Sequence, residues 1–491
     1  MSLLIKKNKI MKKIIFPLII LLLFFASVES DFAQRGKTYK QYYAEGNKFF
    51  SEGKFDEAIT SYTSAIGIYA DEPLIFYNRA NCHLKMKNYD LAMKDFNTVL
   101  EMEPKDASTY YSIGLLKKET GDLQAAIQNW QKAIEFDKKF ANAYYNIGVV
   151  YAEQGNMMDA LVQFDLTLQN DTNHVDAYLN RGGIRGKLGA FTGCISDFDQ
   201  VIRLQPKNAV AFLNRGIAEA QLGKYDRALR DFEKAIDHDS SIGSAYRYRG
   251  IEKQRLQLYE DAIFDYNKAI RFDPDDVDAY YNRALAKQKL KDDQGAIEDL
   301  NNVTALAPKF ADAYYNRGIA KQNLADDHGA INDFTKYIEI NPKDAYAFYY
   351  RGFSKNKLKS TTSAIQDFTD AIRLKPDMIE AYRDRGTSKL INKSYQGAIE
   401  DFNYVLSIDP NSVDALFGRG NAKVELDSLD SAIEDFNKCI ELKSDHKEAY
   451  CNRGIAKIGL GRDDEACTDL SQAMSYGLSR AIALFSKYCK K

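Results

Sequence analysis

Residues 313–324 read Ala-Tyr-Tyr-Asn-Arg-Gly-Ile-Ala-Lys-Gln-Asn-Leu, and variants of this stretch return along the chain every 34 residues. Thirteen copies run from Tyr39 to Arg480 without an insertion. Numbering each copy from 1, beginning at Tyr39, sorts the chain into columns. Column 8 holds Gly in eleven repeats, among them Gly46, Gly114 and Gly318, with Ala80 and Ala284 in the other two. Column 20 holds Ala in twelve repeats and Cys194 in the remaining one. Column 4 is aromatic in twelve, as at Tyr144, Tyr178 and Tyr314, and column 24 in eleven, including Trp130, Phe164 and Phe334. Seven of the nine prolines stand in column 32, from Pro104 to Pro410.

Each column has a physical reason. Columns 4, 8 and 11 fall on one face of a helix with 3.6 residues per turn. Small residues in columns 8 and 20 let two helices approach closely, and the aromatic rings of columns 4 and 24 fill the space around that contact. Proline in column 32 ends the second helix and shapes the turn into the next repeat. A chain of 491 residues exceeds what one compact core usually supports, and an array of repeats resolves this.

This pattern resembles the tetratricopeptide repeat over residues 39–480. The resemblance implies an all-α, right-handed α-solenoid superhelix of 13 helix-turn-helix repeats, with first helices lining a concave groove. It also implies a non-enzymatic scaffold that binds a protein or peptide segment in that groove. The alternative is an envelope assembly component that self-associates through its convex face or ends. Residues 481–491 read as a lone capping helix with Leu484, Phe485 and Tyr488 turned inward.

The first 30 residues differ from the rest. Lys6, Lys7, Lys9, Lys12 and Lys13 precede an apolar run from Ile14 to Ala26. That run is short for a membrane span, which needs roughly 20 residues. With Val28 and Ser30 ahead of Asp31, it reads as a secretory signal, the alternative being an uncleaved membrane anchor. Residues 31–38 read as a linker. The expected location is therefore periplasmic, secreted or envelope-associated.

Two columns vary together. Column 7 is Arg in ten repeats, at residues 79, 181, 215, 249, 283, 317, 351, 385, 419 and 453, and column 23 is Asp in the same ten, from Asp95 to Asp469. Repeats 1, 3 and 4 lack both. The covariation predicts an ion pair between the two helices of one repeat. Column 11 is Lys in the last seven repeats, from Lys253 to Lys457. Two readings stand: a basic ladder for an acidic partner, or a second cation on the same Asp with its stem buried.

Column 5 faces the groove if the family geometry holds, and it supplies the candidate partner-binding residues. These are Tyr43, Tyr77, Tyr111, Tyr145, Tyr281, Tyr315, Tyr349 and Phe417. Tyrosine offers large contact area at low entropic cost; the same rings are also suited to packing on neighbouring first helices. The basic and Asn residues of the chaperone-tail clamp are incomplete: Tyr43 stands where Lys is expected beside Asn47, and Ser108 and Ser112 replace basic residues.

Other chemistries find little support. The net charge of −2 lacks the basic excess of a nucleic-acid binder. Five scattered histidines show no metal-ligand spacing, and the stretch Gly182 to Lys187 lacks the spacing and hydroxyl residue of a phosphate loop. No metal, cofactor or catalytic residue is expected. Of six cysteines, Cys82, Cys194 and Cys439 read as buried thiols, and Cys451 falls in groove column 5. A capping helix packed on the last repeat could bring Cys489 to Cys467, closing a loop of about 20 residues in an oxidising compartment; two reduced thiols are the alternative.

Overall fold

The computed structural model describes residues 37–489. The expected signal and most of the linker lie outside them. The described residues form 27 helices and no strand. Twenty-six of these pair as helix-turn-helix repeats, and the last caps the array, so the fold is an all-α tetratricopeptide-type solenoid. The chain divides into two compact units, Met1–Gly223 and Lys224–Lys491.

Each first helix occupies columns 1 to 13, as in Ala311–Asn323, and each second helix begins in column 17, as in Asp327–Ile340. The turn between them places column 15 in the left-handed region in all thirteen repeats. Glycine fills it in six, from Gly53 to Gly461, where the absence of Cβ removes the steric cost. Lys87, Gln257, Lys291, Ala325, Lys359, Lys393 and Asp427 adopt the same conformation with a side chain, at a cost of roughly 1–2 kcal/mol each.

The packing follows the columns. The column-24 rings are fully buried, Trp130 and Phe334 among them. A Cβ on Gly318 would sit 2.9 Å from two carbons of the Phe334 ring. The glycine is therefore what lets that ring lie flat on the first helix.

The last helix runs Ser479–Tyr488, two residues ahead of the column register. The preceding helix ends one residue short, at Ser475, and Gly477 turns the chain with φ +83°. This early start rotates the cap. Ala481 is buried, and Leu484 and Phe485 pack inward as expected, but Tyr488 is exposed. Cys467 and Cys489 form a disulfide with Cα atoms 5.6 Å apart. Cys82, Cys194 and Cys439 are buried free thiols. Cys451 is buried too, contrary to a groove-facing position, because the cap covers it with Ala481 and its neighbours.

A candidate binding face on the first helices

The paired charges lie between the helices. In nine repeats the Arg of column 7 meets the Asp of column 23 of its own repeat, with Nη2 donating to Oδ1 at 2.5–2.8 Å. Nε donates to the same carboxylate, making the contact two-pronged, as for Arg317 with Asp333 at 2.9 Å. Arg215 and Asp231, the tenth pair of the columns, fall on either side of the compact-unit boundary.

The column-11 lysines take the second reading. Lys253, Lys287, Lys321, Lys355, Lys389, Lys423 and Lys457 each place Nζ 2.7–2.9 Å from Oδ2 of that Asp. The basic ladder is thus overturned: each charge is spent on a buried carboxylate within its own repeat. The guanidinium also reaches backwards, a contact the columns did not suggest. Nη1 of Arg317 donates to Asn301, and Nη1 of Arg419 to Asn403, both in column 25 of the preceding repeat. One Arg therefore joins two helices of its own repeat and ties them to the neighbour.

Repeat 2 varies this scheme. His83 occupies the lysine column, is buried, and has an Nδ1 without a hydrogen-bond partner. Burial lowers its pKa, outweighing the nearby Asp95. A base with a lowered folded-state pKa binds its proton more readily when unfolded, so stability falls as pH drops below the ordinary value of 6.5. We expect His83→Lys, which supplies the cation of the last seven repeats, to shrink the loss of melting temperature between pH 7.5 and 5.5. An unchanged loss would contradict this role.

The first helices present the column-5 rings. All eight candidates, Tyr43, Tyr77, Tyr111, Tyr145, Tyr281, Tyr315, Tyr349 and Phe417, are half-buried. Six of them pack on the column-24 ring of the same repeat, as for Tyr77 with Phe96 and Phe417 with Phe436, centroids 6.0 Å apart. In four repeats the ring lies against column 34: Tyr111 on Phe140, Tyr145 on His174, Tyr281 on Phe310 and Phe417 on His446, at 4.6–4.9 Å.

The hydroxyls reach the next repeat. Asn78, Asn146, Asn180 and Asn316 donate from Nδ2 to Tyr43, Tyr111, Tyr145 and Tyr281 at 3.0–3.1 Å. Tyr77 shares a hydrogen bond with Ser112, and Tyr349 donates to Asp384 at 2.8 Å. Every acceptor or donor here stands in column 6 of the following repeat. Sequence reasoning missed this column; its signal is the 35-residue offset between Tyr and Asn. Tyr315 instead sits among Phe334, Tyr337 and Tyr350. Burial raises the pKa of Tyr281 to about 12 and that of Tyr111, Tyr145, Tyr315 and Tyr349 upward as well. These phenols stay protonated at neutral pH. Each compact unit thus presents four of these half-buried rings on its first helices, and six of the eight are tied through their hydroxyls to the next repeat.

A family model described as TPR repeat matches residues 46–87, 116–155 and 255–291, and two described as tetratricopeptide repeat match 73–106, 209–241, 277–310, 311–344 and 413–446. The chain is 37% identical over 67 residues to serine/threonine-protein phosphatase T of Aspergillus oryzae, 14% of each chain. It is 44% identical over 50 residues to the Hsp70-Hsp90 organising protein of Plasmodium falciparum, 10% of this chain and 9% of that one. The matches therefore span about a seventh or less of those relatives. Among solved structures, YrrB, described as a TPR protein with an unusual peptide-binding site, aligns at 24% identity with TM-score 0.36, covering 38% of this chain and 95% of that one. A C-terminal part of a TPR protein from Cytophaga hutchinsonii aligns at 21% identity with TM-score 0.39, covering 56% and 98%. With the matched segments together exceeding half of the chain and each lying within the 34-residue array, the chain belongs to the tetratricopeptide-repeat family.

Proposed function

We propose that the chain is a non-enzymatic scaffold that holds an extended segment of a partner protein along its first-helix face. The observation that carries this is the column-5 row: rings held by the next repeat, yet half open to a ligand. Rigid aromatic side chains lose little entropy on binding and often dominate interface energetics.

Replacing Tyr281, Tyr315 and Tyr349 with Ala should weaken partner capture by about 2 kcal/mol or more, roughly thirtyfold. Phe264→Ala, which removes an exposed ring from a second helix, should leave capture and helicity as they are. Undiminished capture by the triple variant, with helicity intact, would place the binding surface elsewhere.

The proposal includes export. The basic start, short apolar run and small residues before Asp31 support it, and a disulfide between Cys467 and Cys489 suits an oxidising compartment. The native protein is expected to begin near Asp31 on N-terminal sequencing. A product retaining Ile14 to Ala26 in a soluble cytoplasmic fraction would contradict export, and retention in membranes would favour the anchor.

A further inference from the structure

The hydrogen bond from column 5 to the next repeat is made at six junctions, and the junction between repeats 11 and 12 is among those that lack it. Repeat 11 has Arg383 in column 5, and repeat 12 has Gly418 in column 6. Arg383 turns aside and donates from Nε to Asp384, 2.9 Å away. Gly418 has no side chain to offer, and a Cβ there would collide with the Phe402 ring. Beside this junction lies a cavity of about 460 Å³, lined by Arg383, Asp384, Thr387, Leu390, Asp414 and Phe417 among others. A second cavity of about 480 Å³ shares Leu390 and Asn421 with it and has Val424 and Ile455 in its wall. Glu425, Lys393 and Arg480 also line this second cavity.

The charges in the first cavity are uneven. Asp384 is occupied, accepting from Arg383 and from the Tyr349 hydroxyl. Asp414 is exposed and makes no ion pair, with the already engaged Arg383 as its nearby cation. The same column carries Glu380 in repeat 11 and Glu448 in repeat 13. An aromatic wall with a free carboxylate at its edge suits a side chain with an apolar stem and a cationic head.

We propose that repeats 11 to 13 dock an extended partner segment in which a Lys or Arg side chain enters the Gly418 cavity. Its stem lies on Phe417 and Leu390, and its head reaches Asp414. An apolar side chain close by in the same segment fills the second cavity against Val424 and Ile455. This rests on the groove-binding reading above and names the chemistry of its partner.

The test pans a phage-displayed library of random dodecamers against the full chain and measures selected peptides by fluorescence anisotropy. Peptides with a basic residue near an apolar one are expected. Asp414→Asn should weaken them about tenfold, and Thr387→Arg, at an exposed lining position, should weaken them further by filling the cavity with positive charge. Added salt should lower affinity for the wild type more than for Asp414→Asn. Selected peptides that are acidic, or that bind both variants undiminished, would overturn this docking site while leaving groove binding intact. Recovery of no peptide at all would overturn both.

Discussion

Asp333→Ala is expected to cost more stability than almost any other single change in the array, about 3–5 kcal/mol, because it leaves buried cations without their counter-charge. Asp333 is 3% exposed and receives Arg317 through two prongs and Lys321 at 2.8 Å. Removing it strands both partners. Adding Arg317→Leu should recover part of the loss, since one of the two stranded charges is gone. The guanidinium's contact to Asn301 is lost as well, but Asn301 is exposed and turns to water at little cost. A solenoid need not unfold in one step. Urea titration should therefore be read beside hydrogen exchange in residues 311–340, where the disruption is local. Equal stability of single and double variants would show that the triad does not behave as a buried charge cluster.

The second large effect concerns the end of the array. The capping helix has one neighbouring second helix to hold it, and its outer face is exposed. The disulfide joins residues 22 apart, and closing such a loop contributes about 3 kcal/mol in the chain-entropy model. Reduction, or Cys467→Ser, should raise hydrogen exchange in residues 479–489 by about two orders of magnitude. Exchange in the early repeats should not change. Protection that is identical with and without reductant would mean that packing alone holds the cap. Alkylation of both thiols in the native protein without prior reduction would contradict the bond itself.

The fold was legible because one geometric problem is solved thirteen times. A close helix contact demands Gly or Ala in columns 8 and 20, and no other packing explains why Gly318 faces Phe334. The Arg–Asp pairing was legible for the same reason, since repeats 1, 3 and 4 lose both members together. What lay outside the columns was harder to read. The tie from Arg317 to Asn301 and that from Asn316 to Tyr281 cross between repeats, and their partners vary among Asn, Asp, Ser and Thr. The lysine column allowed two readings, and its place one helical turn beyond the Arg of column 7 already pointed to the same Asp, where Lys321 meets Asp333. Tyr488 followed the repeat register on paper, whereas Gly477 ends the last second helix early and turns the cap.

The central claim is that the first-helix face, not the outer second-helix face, receives the partner. The most direct measurement places a photo-crosslinking phenylalanine analogue at each of two exposed aromatic positions in the second compact unit. Tyr346, 44% exposed, lies on a first helix beside the column-5 row, and Phe264, 56% exposed, lies on a second helix. Irradiation in native cells followed by mass spectrometry should yield a partner adduct at position 346 and none at 264. An adduct at 264 with none at 346 would contradict the account.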